Sequence, residues 1–385
     1  MIGRNVFDGT FLSPLIIART TAIEHNLATM REFCLANRVE LAPHGKTTMA
    51  PSLISRQIAH GAWGITIANA VQARTLFDFG LQRLLIANQL VNEPAIDWAL
   101  EASTRGLELY CFVDSHTGLS RLNRNSAGHV SVLVEIGDRG GRGGVRNIDE
   151  AIALAEEARA LKTVRFAGVA GYEGVFLSAH DHGDRRHVQD YLRLLAHSFE
   201  RIAALGLYDP ETPPILTAGG SACFDDVVDI CGPVADAHHG ELVLRSGCYV
   251  THDSGFYNKI SPLRDHAELA PFRPALEAIA QVISRPEPTL ALLDLGKRDV
   301  SFDQGLPVPL WRYQQTRRTP APDSWRVSNL MDQHAYLTVE ASDALAVGDF
   351  ISLGISHPCT TFDKWKHIPE VDDNGTVVAV ISTEF

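Results

Sequence analysis

The sequence has 385 residues, of which 45% are hydrophobic and 21% charged, with 34 Lys plus Arg against 46 Asp plus Glu and a formal net charge of -12. That length suits two globular domains. The acidic balance and the lack of any basic run exclude a nucleic-acid surface, and no apolar stretch reaches the roughly 18 to 20 residues of a bilayer span.

The first residues, MIGRNVFDGTFLSPLIIARTT, carry an apolar patch without a signal-peptide layout, so a cytoplasmic protein is expected. From there to about residue 255, short apolar runs alternate with helical stretches. The runs lie at 39–43, 64–68, 83–88, 107–113, 131–137, 166–172, 214–220 and 241–247. They are continuously apolar, as strands of a parallel sheet covered on both faces are. Between them, segments such as 147–162 and 188–205 have helical spacing. Eight such repeats predict a TIM (β/α)8 barrel over residues 14–255. Beyond it, short runs at 289–296, 335–340, 349–356 and 376–383 are separated by Gly, Pro and Asp. They predict a β-rich domain over 256–385, joined by residues 1–13.

In such a barrel the chemistry sits at the C-terminal strand ends. The first strand ends in Pro43-His44-Gly45-Lys46-Thr47-Thr48. A lysine at the mouth becomes a nucleophile when its charge is desolvated, although a solvated lysine at a helix start gives the same pattern. The seventh strand runs into Thr217, Ala218, Gly219, Gly220 and Ser221, and the eighth into Arg245, Ser246, Gly247, Cys248 and Tyr249. Barrels often bind phosphate at these two loops on backbone N–H groups. Two glycine-rich loops facing a lysine form the amine-plus-phosphate constellation that pyridoxal phosphate needs. Arg142, in the loop after the fifth strand, can neutralise a cofactor or substrate anion; Tyr172, after the sixth, can stack on a ring. The cofactor-binding set is therefore Lys46, Arg142, Tyr172, Thr217, Gly219, Gly220, Ser221, Gly247, Cys248 and Tyr249.

In the second domain, residues two apart in an extended segment share a side, so His357 and Cys359 could hold one divalent metal. Imidazole plus thiolate suits zinc, with manganese or magnesium as alternatives. A buried thiol beside a core histidine would read identically. The other cysteines are scattered and form no disulfide framework. His180-Asp181-His182 and His238-His239 read as solvated loops.

These pieces resemble the D-threonine aldolase and D-serine dehydratase group of alanine-racemase-like, fold type III pyridoxal phosphate enzymes. The likeness runs through PHGKTTMAPSLISRQIAHGAWGITIA, LLIANQLV, GDRGGRGGVR, GYEG, DLGKRDVSFDQGLPVP, MDQHAYL and VGDFISLGISHPCTTFDKW. Within the group it is to bacterial D-serine deaminase-like proteins. The resemblance implies Lys46 as the Schiff-base lysine and base, His357 and Cys359 as the metal pair, and a homodimer. His-x-Cys is the form found in eukaryotic-type D-serine dehydratases, whereas D-threonine aldolases usually have His-x-Asp. Thr48 stands where many relatives carry His, which bears on substrate identity.

The expected activity is dehydration of a β-hydroxy D-amino acid such as D-serine, D-threonine or D-3-hydroxyaspartate to a 2-oxo acid and ammonia. Retro-aldol cleavage to glycine and an aldehyde is the alternative. A racemase would need an opposing tyrosine, for which Tyr257 and Tyr336 sit in no racemase-like motif. A non-catalytic protein of cofactor supply would have no use for the His357–Cys359 domain.

Overall fold

The computed structural model describes residues 1–176, 185–314 and 317–385, without the side chain of residue 175. The pair His180 and His182 lies outside the described residues. The chain forms two compact units. One comprises Arg31–Lys46 and Gln57–Gly247; the other comprises Met1–Met30, Thr47–Arg56 and Cys248–Phe385.

The first unit carries the eight expected strands: Glu40–Leu41, Ile65–Ile67, Arg83–Gln89, Glu108–Val113, Val130–Glu135, Val164–Ala170, Ile215–Ala218 and Glu241–Leu244. They form one eight-stranded parallel sheet. Its ends meet through Trp63 N–H to Leu41 O (2.8 Å) and Thr66 N–H to Pro43 O (3.0 Å), so the sheet curls shut as a barrel. Closure removes the unpaired edges that an open sheet would expose. Ala42, Leu85, Phe112, Leu133, Ala170, Ile215 and Val243, one from each of seven strand segments, cluster into an apolar core. Gly168 (φ +151°) is required where its strand meets the next, because a Cβ there would stand 1.9 Å from the Ile215 carbonyl oxygen.

The expected helices follow the strands. Asn147 caps Ile148–Ala160 by accepting the Glu150 N–H; an N-cap of this kind satisfies one of the four orphan donors at a helix start. The helix Arg185–Ala204 buries Val188, Leu192, Leu195, Phe199 and Ile202, an i, i+3/i+4 stripe.

The second unit is built on a ten-stranded sheet among the described residues. Its main path runs Arg317–Pro320, Val308–Gln314, Phe350–Gly354, Leu276–Glu287, Leu15–Arg19, His367–Val371, Val377–Ser382. Leu290–Leu293, Ala335–Thr338 and Arg326–Leu330 branch from Leu276–Glu287.

The structure differs here from the boundary at residue 14. LIIAR, which reads as a continuous apolar run, pairs antiparallel with Leu276–Glu287 and parallel with His367–Val371. Both faces of that strand are covered, so it lacks the polar alternation that would separate it from a barrel strand. Arg19 seals the pairing with two hydrogen bonds to Glu277, at 2.8 and 3.0 Å. The stretch from Cys248 to Gly255 likewise groups with the second unit rather than with the barrel.

Candidate active site

Lys46 lies in the 3-10 turn Gly45–Thr47, directly after the first barrel strand, with its side chain exposed. Half-buried His44 precedes it, and its Nδ1 is buried without a hydrogen-bond partner. Burial, together with the charges of Lys46, Arg245 and Arg142, holds the His44 imidazole well below its ordinary range. The positive charges of Lys46, Arg245 and Arg142 thus surround one imidazole that stays neutral.

The glycine-rich loop after the fifth strand positions Arg142. A Cβ on Gly143 would meet Glu135 Oε2 at 2.7 Å and Gln89 Nε2 at 2.9 Å, so only glycine lets the loop settle there. Gly144 donates to Asp114 Oδ2 at 3.0 Å. The Arg146 guanidinium gathers the carbonyls of Arg142, Gly143 and Gly144. Arg142 then sits 4.6 Å above the Tyr172 ring, a cation–π contact. The Tyr172 backbone is anchored by its N–H to the Tyr191 hydroxyl, 2.8 Å, and that hydroxyl donates to Ile136 O, 2.7 Å.

The loop after the seventh strand presents two backbone donors. Gly219 and Gly220 N–H both point to the fully buried Glu173 carboxylate. Gly219 has φ +98°, and a Cβ there would press on Leu244 Cδ2 at 2.9 Å. These N–H groups are aimed at an oxyanion, and a carboxylate fills that role here. A loop that no side chain can fill, the three cations and the unpartnered His44 nitrogen fit a phosphate-bearing cofactor. Lys46, Arg142, Tyr172, Gly219 and Gly220 are the residues that would hold it. Thr217 is spent otherwise: its hydroxyl donates to Val243 O and accepts from Arg245, at 2.7 and 2.6 Å. Ser221 is partly buried beside these glycines, and Gly247 is buried at the end of the strand-eight loop.

Arg245 was passed over in the sequence, although it stands beside the glycine loop. It is 4% exposed, bonded to Thr217 and to the Gly171 carbonyl, and 5.5 Å from the Phe112 ring. Burial pushes its pKa down, opposed by the carboxylates of Glu173 and Glu135. An arginine in such a place keeps its charge.

In the second unit, His357 and Cys359 do face one another across Pro358. His357 Nδ1 lies 2.7 Å from Asp303 Oδ2, and the backbone N–H of His357 donates to Ser301 Oγ at 3.0 Å. Thr360 Oγ1 donates to Asp303 Oδ1, 2.7 Å. The segment around Asp303 therefore fixes both the imidazole and the loop that carries it. Asp303 was part of a resembling stretch, but nothing local marked it as a partner of a residue 54 positions away.

Burial disfavours a charged His357, yet the bonds to Asp303 and Cys359 outweigh it and push its pKa up to about 10. Cys359 is held well below the usual thiol range by hydrogen bonds from Cys248 and His357, and Asp303 falls to about 2 on its bond to His357, against the effect of its burial. The imidazole is thus held between a carboxylate and a thiol that easily becomes a thiolate. With Nδ1 turned to Asp303, Nε2 is the nitrogen left for a metal, the carboxylate–histidine arrangement common behind metal ligands. The donor set therefore fits a divalent metal of borderline softness.

Cys248 and Tyr249, expected in the cofactor-binding set, fall in the second unit. Both side chains are buried in the second unit: Tyr249 packs near Phe272 with ring centroids 5.9 Å apart, and Cys248 Sγ lies 3.5 Å from Cys359 Sγ. His238 caps the helix Phe224–Ala237 and lies near no ligand cluster among the described residues. No helix among the described residues is long and apolar enough to cross a membrane.

Comparison with known proteins places this geometry in context. Residues 19–227 match the family described as "Alanine racemase, N-terminal domain", and residues 275–371 match "Putative serine dehydratase domain". The chain is 27% identical to a D-threonine aldolase from an Arthrobacter species, over 91% of this chain and 86% of that one. It is 29% identical to a D-threo-3-hydroxyaspartate dehydratase of a Delftia species, over 38% of this chain and 39% of that one. The solved structure of D-threonine aldolase from Filomicrobium marinum matches its fold with a TM-score of 0.85 at 23% identity, covering 100% of this chain and 97% of that one.

Proposed function

Since this chain belongs to the alanine racemase N-terminal domain family, and with it to the fold type III pyridoxal phosphate enzymes, we propose that it is a metal-assisted lyase of β-hydroxy D-amino acids. Dehydration is the first reading: the net change converts the substrate to a 2-oxo acid and ammonia. The observation that carries it is the His357–Cys359 pair with Asp303 Oδ2 2.7 Å from His357 Nδ1, in a chain whose barrel sets Lys46 at a strand end beside His44.

When bound, pyridoxal phosphate supplies an electron sink for the bond broken at Cα. A divalent metal on His357 and Cys359 supplies Lewis acidity toward the substrate β-hydroxyl. The chain's own residues do the rest. Lys46 Nζ holds the cofactor and, when released, takes the Cα proton, as an amine poised at a barrel mouth can. Arg142 would neutralise anionic oxygens, and the Gly219 and Gly220 N–H groups would do so once the Glu173 carboxylate that now holds them moves aside. His44 stays uncharged among three cations and so leaves the anion to them. Asp303 keeps His357 turned so that Nε2 faces outward from the carboxylate. Zinc is the metal we assign, because a sulfur donor favours it over manganese or magnesium. A homodimer in the cytoplasm completes the reading.

The second reading is retro-aldol cleavage, favoured by the likeness to a D-threonine aldolase across most of the chain. The two differ in where a proton sits on the β-oxygen. Incubation with D-serine, D-threonine and D-threo-3-hydroxyaspartate, with and without EDTA, separates them. A 2-oxo acid with an equivalent of ammonia is expected, lost on chelation. Glycine with an aldehyde would replace dehydration by the aldolase reading, and turnover unaffected by thorough chelation would remove the metal.

A further inference from the structure

Cys248 follows Gly247 in the chain, in the 3-10 turn Cys248–Val250. The turn is held by His252 N–H to Cys248 O (2.7 Å) and by Ala275 N–H to Thr251 O (2.8 Å). A few residues on, Ser254 N–H bonds Ile355 O at 3.0 Å, which ties this stretch to the segment leading into His357. The sequence distance between Cys248 and Cys359 is 111 positions, yet their sulfurs are 3.5 Å apart.

The ligand atoms of Cys248, His357 and Cys359 all lie within 4.8 Å of one another. A disulfide would need its sulfurs at about 2.05 Å. Two thiolates on one tetrahedral zinc, each at about 2.3 Å, stand about 3.8 Å apart. The observed separation is close to the second arrangement. Thr47 Oγ1 lies 3.4 Å from Cys359 Sγ and 4.0 Å from Cys248 Sγ, so one hydroxyl borders both sulfurs. Such an outer-sphere group orients thiolate ligands. Cys248 is 5% exposed.

We propose that Cys248 is a third protein ligand, which makes the metal centre a Cys2His site; this deepens the proposed function, on which its catalytic meaning rests. Two thiolates and one imidazole are soft to borderline donors. They select zinc and disfavour manganese and magnesium, which take oxygen ligands. Three protein ligands in a four-coordinate site leave one position open, the pattern of catalytic rather than structural zinc. A fourth protein ligand would have closed it, and among the described residues the cluster holds no further His, Cys or carboxylate.

The test is zinc X-ray absorption on the full-length, zinc-loaded wild-type protein, which needs no variant to fold. Two sulfurs at about 2.3 Å are expected per zinc. The cobalt-substituted protein should show sulfur-to-metal charge-transfer absorption that falls by about half in Cys248→Ser and equally in Cys359→Ser. Zinc affinity of Cys248→Ser, read against a chromophoric chelator, should drop at least about tenfold, a loss already typical of removing an outer-sphere partner. One sulfur per zinc in the wild type, an unchanged cobalt spectrum in Cys248→Ser, or a protein that takes up neither metal would each overturn the proposal. One sulfur with full lyase turnover overturns the ligand and keeps the function. Two sulfurs with neither 2-oxo acid nor glycine formed keeps the ligand and overturns the function.

Discussion

Lys46 illustrates how a single side chain takes its role from its neighbours. Its turn places an exposed amine beside a histidine kept neutral by burial and by surrounding positive charge. On the proposed reading, Lys46→Ala abolishes the visible absorbance of the bound cofactor and lowers turnover by on the order of a thousandfold, within the range for loss of a positioned proton-transfer group. A variant that stays yellow and active would sink the assignment. The nearness of His357 and Cys359 was legible because it is local, two ligand types two positions apart, although the chain turns there into the helix Cys359–Phe362 instead of running extended. Arg245, Asp303 and the thiol of Cys248 were not. Each acquires meaning from a partner dozens of residues away, and spacing carries no information about that.

Among the elements, all eight barrel strands were legible, since continuous apolar runs separated by amphipathic helices have few other solutions. The strand Leu15–Arg19 was not, because the same pattern serves a central strand of either sheet. What decides its place is pairing, and Arg19 carries much of it: its guanidinium meets Glu277 in a bidentate contact, and Ser352 Oγ donates to the same carboxylate at 2.6 Å. Arg19→Met leaves that carboxylate buried and unpaired. We expect it to destabilise the protein by about 3–5 kcal/mol, the usual cost of breaking one side of a buried pair. Urea denaturation followed by tryptophan fluorescence measures this, and the Arg19→Met/Glu277→Leu double variant should recover most of the loss. A single variant as stable as wild type would show that the pair contributes nothing.

At the scale of the whole molecule, stability against pH turns on buried groups more than on the net charge of -12. His252, 3% exposed, is pushed down to about 4 by burial, against a bond to Asn258. Its folded pKa lies below the ordinary 6.5, so the unfolded chain binds the extra proton first. The stability this group confers is present above pH 6.5 and is lost as pH falls through about 4. Neighbouring Asp253 is raised to about 6 by burial, so its contribution runs the other way, present at pH 3.8 and lost as pH rises through about 6. His252→Asn isolates the first effect, since asparagine tolerates the φ of +47° found there. Relative to wild type, the variant should gain about 3 kcal/mol of unfolding free energy between pH 6.5 and 4, because each tenfold change in proton affinity is worth about 1.36 kcal/mol. Denaturation of EDTA-treated protein checks it, and parallel pH profiles would refute it. The amino-acid sequence by itself determined the barrel, the β-rich second unit and the nearness of His357 to Cys359, because periodicity and short spacing are written along the chain. Only the tertiary structure decided which sheet receives the first strand and which distant side chains complete the site. Those choices depend on contacts between residues 54, 111 and 258 positions apart, whose proximity exists only once the chain has closed.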